Sequence, residues 1–220
     1  MKRPVAIHNS RLVLPPVLCA PVEHYVMAWA AEHSAPDAAA RFDKRFKAAH
    51  RFAIADTRGV MTLTVPIAKP ATSRCLWSDI DISDHGRWWD VHRVALESAY
   101  GRTPYFEFYI DSFLPMLTAD VMERFPKLTE LQQAWDAAIR EHLGMESVAA
   151  GQVAPSEALL TFDDSLSGAD LEPYRQIRAD RLGFLPGLSV LDLLFNLGPE
   201  AALYLNREAR RIAPRLSRQA

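Results

Sequence analysis

The tetrapeptide DTRG at residues 56–59 and the apolar runs beside it constrain the fold more strictly than any other part of the sequence. The run FAIA precedes the tetrapeptide, and the run VMTLTVPI, rich in β-branched residues, follows it. β-Branched side chains favour strands, and glycine permits the backbone conformation that a tight turn requires. The sequence therefore predicts an early β-hairpin formed by residues 52–55 and 60–67.

Helical patterns surround this hairpin. Trp88, His92 and Tyr100 recur at multiples of four residues, and Gly101 follows them, which predicts a helix over residues 88–100. Apolar periodicity and turn residues predict other helices over residues 21–33, 103–117, 128–143, 174–183, 188–195 and 199–211, and residues 38–50 are polar but permit a helix. Further strands are predicted at residues 12–14, 78–83 and 148–153. The prediction is an α/β fold: a mixed sheet with an early β-hairpin, flanked by helices, and a helical C-terminal part.

Length and composition favour one domain. The chain has 220 residues, of which 49% are hydrophobic, enough for a sizeable core. We therefore expect a single domain over residues 1–220, whose basic tail at residues 206–220 frays. The first ten residues lack the apolar run of a secretory signal, and no apolar run is long enough to span a bilayer.

Charge and cysteine content exclude several classes of function. A net charge of −2 argues against nucleic-acid binding, although residues 41–51 and 207–218 are basic. The two cysteines, Cys19 and Cys75, form no metal-binding or disulfide pattern, which indicates reduced thiols in a cytoplasmic protein. No metal site is predicted, and the sequence specifies neither a cofactor nor an oligomeric state. None of the common nucleotide-binding, zinc-protease or serine-hydrolase motifs is present.

An aromatic-rich stretch at residues 88–109 contains the first candidate site. His92 is a candidate general base, and Trp88, Tyr100 and Tyr105 are candidates for lining a substrate pocket. Aromatic residues at this spacing are more often packed in a core. A buried histidine whose ring nitrogens are bonded to protein gives the same pattern as a catalytic one.

Two other stretches carry candidate residues. Before the hairpin, His50 is a second candidate base, and Lys47 and Arg51 are candidates for holding a phosphate or carboxylate. The alternative is a solvated helix face. Near the C-terminus, Asn196 and Glu200 are candidate substrate-binding residues, and the alternative is that they fix a neighbouring loop.

The order of several motifs resembles the WbqC-like family. The matching segments are LCAPVEHY at residues 18–25, LTVPI at 63–67, DIDIS at 79–83, W-x-x-x-H at 88–92, ESAYGRTPYFEFY at 97–109 and GFLPGLSVLDLLFNLGPE at 183–200. Where the family typically has Arg-Asn-Arg before the hairpin, this chain has Ala49, His50 and Arg51. Members are often encoded among bacterial surface-polysaccharide (O-antigen) genes.

The resemblance implies a biosynthetic role and leaves three hypotheses. The first is a transferase that moves an acyl or aminoacyl group to an amino sugar or a similar small metabolite, with His92 or His50 as the base. The second is a non-catalytic binding or assembly protein of such a gene cluster, which the departures at Ala49 and His50 favour. The third and weakest is contact with nucleic acid through the basic clusters.

Overall fold

The computed structural model describes residues 7–37, 39–70, 72, 74–146, 160–161 and 171–216. Its first unit is a β-α-β arrangement. Strand β1 (Ile7–Leu14) is followed by helix α1 (Val22–Ala30) and strand β2 (Ala31–Pro36). β1 pairs in parallel with β2 on one side and with the short strand β5 (Leu160–Thr161) on the other, so the strand order is β2-β1-β5. The sheet therefore places the carboxyl ends of β1 and β2 at the same edge.

Helix α1 is almost entirely buried and passes into β2 without a loop. Eight of its nine residues are buried, and Ala31 already has extended backbone angles. The sequence prediction extended this helix to residue 33, which is wrong. The segment AEHSAP has no β-branched residue, and its pairing with β1 makes it a strand.

The hairpin prediction is confirmed. β3 (Arg51–Asp56) and β4 (Gly59–Thr64) pair antiparallel, with Phe52 opposite Leu63 and Ile54 opposite Met61. Among the described strands, the hairpin and the parallel strands form two separate sheets. The predicted α/β class with an early hairpin and a helical C-terminal part is confirmed, and the strands are divided between these two sheets.

Eight helices occur in the described part of the chain. After α1 come α2 (Trp88–Tyr100), α3 (Phe106–Phe113), α4 (Val121–Arg124), α5 (Leu128–Leu143), α6 (Ala179–Leu182), α7 (Val190–Leu197) and α8 (Glu200–Leu216). α2 and α5 have the predicted bounds. α8 extends into the basic segment that was expected to fray, and buried Glu208 pairs there with Arg207 and Arg211. No helix among the described residues is long and apolar enough to cross a bilayer.

Aspartate side chains turn the backbone in two segments, residues 38–50, where a helix was permitted, and residues 78–83, where the predicted strand is wrong. Of the described residues 39–50, only Lys47–Ala49 is helical, as a 3₁₀ turn, and the Asp43 carboxylate accepts the Arg45 N–H. In residues 78–83 the carboxylate of Asp79 accepts the Leu76 N–H and closes a 3₁₀ turn. The alternation there is real, since Ile80 and Ile82 are buried, but no regular ladder forms. The predicted strand at residues 148–153 lies outside the described residues.

The core is organised around aromatic rings contributed by α3, α5 and α7. Phe113 stacks on Trp135 with a centroid distance of 5.1 Å, and Phe195 packs edge-on against Phe113 and Phe106. Because α1 packs against α8, the two ends of the described chain join the same core. This packing fixes α5 beside the parallel sheet.

Replacing Gly198 with alanine should destabilise the fold more than the same change at Gly183. Both glycines end a helix with a positive φ, of +56° and +69°, so alanine strains the backbone at either position. Only at Gly198 would the new Cβ collide with the Tyr105 ring, which adds about 1–3 kcal/mol. Urea denaturation of both variants measures the difference, and equal losses of unfolding free energy would contradict this crowding.

Candidate functional site

A cleft of about 660 Å³ lies at the carboxyl edge of the parallel sheet. Leu14, the last residue of β1, and Pro36, the last residue of β2, form part of its wall together with Asp37. Open α/β sheets bind ligands in crevices beyond the carboxyl ends of their strands. The position of this cleft therefore makes it the leading candidate for a functional site.

One face of α5 forms the opposite wall of the cleft. Its lining residues recur at helical spacing and are largely polar: Thr129, Glu130, Gln132, Gln133, Ala134, Asp136, Ala137 and Arg140. The other face of α5 is apolar, and Leu131, Trp135 and Ile139 are buried in the core. The helix thus anchors itself with one face and presents polar groups to the cleft with the other.

The charged centre of the cleft is a buried ion pair. Arg140 is only 2% exposed, and its Nε donates to Asp136 Oδ2 at 2.6 Å. Its Nη atoms donate to Ser34 Oγ at 3.3 Å and to the Glu146 carbonyl at 3.2 Å. The Tyr25 hydroxyl donates to the other oxygen of Asp136 at 2.7 Å. A guanidinium removed from water needs such partners, so the network is rigidly specified.

His24 of α1 lines the same cleft beside this ion pair. The residue is 5% exposed, and burial lowers its pKa to about 4, with Arg140 acting in the same direction and Asp136 opposing it. The imidazole is therefore neutral at pH 7. A neutral imidazole accepts a proton or a hydrogen bond, which makes His24 a candidate base in this cleft.

Gln132 fixes the loop that closes one side of the cleft. Its side-chain amide donates to the carbonyls of Pro16 at 3.2 Å and Ala49 at 2.6 Å. Pro15 and Pro16 line the cleft, so this amide holds the segment between β1 and α1 against α5. In the described part of the chain, no group of three or more histidine, cysteine or carboxylate side chains is arranged to bind a metal ion.

Two of the sequence-predicted site residues line a second, smaller cavity. Lys47 and Arg51 contribute to a space of about 360 Å³ between the hairpin and the β1–α1 connection. Val17 lines both cavities. The segment between β1 and α1 therefore contributes to both cavities, and the cavity with the predicted basic residues adjoins the large cleft.

The two predicted histidine bases bind adjacent carbonyls of the hairpin. His92 Nε2 donates to Thr64 O at 3.1 Å, and His50 Nδ1 lies 3.0 Å from Val65 O. His92 is 2% exposed and lies edge-on to Phe52, and burial lowers its pKa to about 4. Neither histidine lines the two cavities. These environments favour a structural role, and the catalytic role stays a prediction.

The predicted aromatic residues lie in or beside the core. Trp88 is 4% exposed and packs edge-on against His92. Tyr100 is fully buried, and its hydroxyl accepts the Ala55 N–H at 3.0 Å. Tyr105 is partly exposed, stacks on Tyr109 and lies against Gly198. None of the three predicted residues lines either cavity.

Asn196 and Glu200 differ sharply in environment. The Asn196 side chain accepts the Ile177 N–H at 2.8 Å and donates to the Asp192 carbonyl at 2.7 Å, so it fixes a neighbouring loop, as the alternative interpretation proposed. Glu200 is exposed in the first turn of α8. The structure thus does not bring Asn196 and Glu200 together with Lys47 and Arg51 in one cavity.

Sequence reasoning missed His24, Asp136 and Arg140. An Asp–Arg pair four residues apart on a helix is usually a solvated surface pair. The sequence feature that could have pointed to Asp136 and Arg140 is the polar stripe along residues 129–140 of an otherwise well-packed amphipathic helix. Only the three-dimensional fold shows that Ser34 of β2 bonds Arg140 and that Arg140 is buried.

Comparison with known proteins gives one match. A model of the WbqC-like protein family matches residues 39–154, just over half of the chain, which confirms the resemblance inferred from the ordered motifs. The match includes the hairpin, α2, α3 and α5, and hence one wall of the cleft. The opposite wall, at residues 14–37, precedes it. No curated protein and no solved structure shows significant similarity to the chain.

The buried state of His92 should make stability fall on acidification. The pKa of His92 is about 4 in the folded protein and 6.5 when unperturbed, so its contribution is present above pH 6.5 and is lost as the pH falls towards 4. The full loss amounts to about 3 kcal/mol. We expect His92→Gln to flatten the fall in unfolding free energy between pH 6.5 and 4, measured by urea denaturation. A matched change at exposed His85 should leave the profile unaltered, and a parallel fall in wild type and His92→Gln would contradict the prediction.

Proposed function

The chain belongs to the WbqC-like protein family, and on that premise we propose that it is a transferase of polysaccharide or related biosynthesis. Its substrate class is an amino sugar or a similar small metabolite, and the group transferred is acyl or aminoacyl. The observation that carries the proposal is the convergence of His24, Asp136 and Arg140 in the cleft at the carboxyl edge of the parallel sheet. Its volume of about 660 Å³ is in the range typical of small-molecule sites.

His24 is the proposed base of the transfer. The amine nitrogen of the acceptor attacks the donor carbonyl, a C–N bond forms, and the bond from the carbonyl carbon to the leaving group breaks. The nitrogen becomes strongly acidic as it attacks, so a neutral imidazole, even one with a lowered pKa, takes its proton. The proton then passes to the departing group, and no other reactant is needed.

Asp136 and Arg140 have positioning and recognition roles in this proposal. The Asp136 carboxylate is partly exposed to the cleft, with side-chain exposure of 25%, whereas that of Arg140 is 2%. A carboxylate at this place attracts the ammonium form of an amino sugar, which releases one proton to solvent and becomes the amine that attacks. Arg140 holds the carboxylate in one orientation, which reduces the reorganisation needed during reaction.

A non-catalytic binding or assembly role is the second candidate. The observation that favours it is that His50 and His92 are both bonded to backbone carbonyls of the hairpin, away from the cleft. A protein that only binds a metabolite or a partner needs no base, and His24 then serves as a hydrogen-bonding group. The two roles differ in whether product forms when both donor and acceptor are present.

We propose a single cytoplasmic domain. The packing of α1 against α8 and the pairing of β1 with β5 join distant parts of the chain, which supports one domain over residues 1–220. Cys19 and Cys75 are free thiols. Free thiols are typical of reducing compartments, which supports a cytoplasmic location.

Filling the cleft should abolish ligand binding without affecting the fold. Gln133 lines the cleft and is exposed, so Gln133→Trp occupies the space and leaves the buried ion pair intact. The matched control is Glu141→Trp, also exposed on α5 but outside the cleft lining. Nucleotide-linked amino sugars at about 100 times their Kd should stabilise wild type and control by about 2.7 kcal/mol. This stabilisation by the ligand should be absent in Gln133→Trp. A stabilisation that survives this change would contradict the assignment of the cleft.

Replacing the proposed base should separate catalysis from binding. We expect His24→Gln to lower kcat by about 10²- to 10⁴-fold while the thermal shift caused by the amino sugar persists. Single-turnover assays with an acyl donor measure the rate, and exposed His33→Gln serves as the matched control. An unchanged kcat would remove His24 from the mechanism. Wild-type binding without any product, across a panel of donors, would favour the assembly role.

A further inference from the structure

The smaller cavity, of about 360 Å³, has an unbalanced charge. Its lining contains two cationic side chains, Lys47 and Arg51, and no carboxylate. The remaining residues are Val17, Leu18, Cys19, Pro21, Ala48, Phe52, Ala53, Thr62, Gly187 and Ser189. Cations that converge on a concave surface without a carboxylate produce a field that attracts anions.

Neither of these cations is neutralised by a described side chain. By contrast, Arg45, two residues before Lys47, forms a bidentate pair with Asp43 at 3.0–3.2 Å. Among the described residues, Lys47 and Arg51 make no ion pair or side-chain hydrogen bond. Both side chains are exposed at the solvent side of the cavity and are free to contact a bound group.

The charges of Lys47 and Arg51 also act on the neighbouring imidazole of His50. Burial is the main cause that lowers the pKa of His50, and the charges of Arg51 and Lys47 lower it further, while the bond to Val65 opposes the shift. His50 itself does not line the cavity. Both cations therefore lie close to the same side of the hairpin.

The floor of the cavity is apolar. Leu18 and Phe52 are buried there, Val17 and Ala53 are partly buried, and the hydroxyl group of Ser189 lies at the N-terminus of α7. An inorganic anion would leave this surface without a partner. The lining matches a ligand that has an anionic end and an apolar body.

We propose that this cavity binds a phosphate monoester, with the phosphate between Lys47 and Arg51 and the apolar part of the ligand against Leu18 and Phe52. A phosphate monoester carries a charge of about −1.5 to −2 at pH 7 and so balances two cations better than a carboxylate does. The volume of the cavity, about 360 Å³, is enough for a small organic phosphate. Binding here does not depend on the proposed transfer reaction, because the two cavities share only Val17.

Phenyl phosphate is the direct probe of this site, because it combines a phosphate monoester with a compact apolar body. Isothermal titration of the full chain should show saturable binding at or below about 1 mM. The double variant Lys47→Gln/Arg51→Gln should weaken binding at least about tenfold, since each cation supplies a charge-assisted hydrogen bond. The matched control Lys44→Gln/Arg58→Gln removes the same charge from exposed positions outside the lining and should bind as wild type does.

Three ligand controls and one cleft variant complete the experiment. Benzoate and inorganic phosphate should bind more weakly than phenyl phosphate, and phenol weaker still. The absence of saturable binding by wild type, or equal weakening in both double variants, would overturn the site. Inorganic phosphate binding as tightly as phenyl phosphate would overturn the apolar half of the proposal. Gln133→Trp should retain phenyl phosphate binding, which separates this test from that of the large cleft.

Discussion

A buried guanidinium determines how three parts of this chain meet. Arg140 of α5 bonds Asp136 on its own helix and Ser34 of β2, and Tyr25 of α1 completes the coordination of the carboxylate. Desolvating a charge costs several kcal/mol, which only a full set of partners offsets. The fold therefore requires α5, α1 and β2 to converge at one point. The large cleft is the concave surface beside this convergence, so its shape is a consequence of how the charge is accommodated.

A buried carboxylate organises the C-terminal part of the molecule. Asp192 on α7 accepts hydrogen bonds from Tyr174 at 2.7 Å and Gln176 at 3.0 Å, and burial raises its pKa to about 6. The segment before α7 has little regular secondary structure, so these bonds fix its course. That segment ends at Gly187 and Ser189, which line the smaller cavity. A polar group in an apolar helix thus positions a wall of a binding surface.

The sequence predicted those elements whose patterns are locally self-sufficient. The hairpin has a turn glycine between an apolar run and a run rich in β-branched residues, and α2 and α5 have uninterrupted periodicity with a terminal glycine, so their bounds follow from local rules. Strand β2 could not be predicted, because only its pairing with β1 makes it a strand. The candidate site was harder to predict from the sequence for the same reason. Lys47 and Arg51 reach a cavity as the charge pattern suggested, whereas His24 and Arg140 acquire their significance from burial, which no local pattern encodes.

The direct junction of α1 and β2 has a consequence for how this protein tolerates change. Ala30 ends the helix and Ala31 begins the strand, with no intervening residue to absorb a shift. One inserted or deleted residue would reverse the faces of β2 and turn Ser34 away from Arg140, because side chains alternate along a strand. The length of this segment is therefore as strongly constrained as its composition. Variation in chain length within such a fold is confined to its other connections, and the carboxyl edge keeps a fixed geometry.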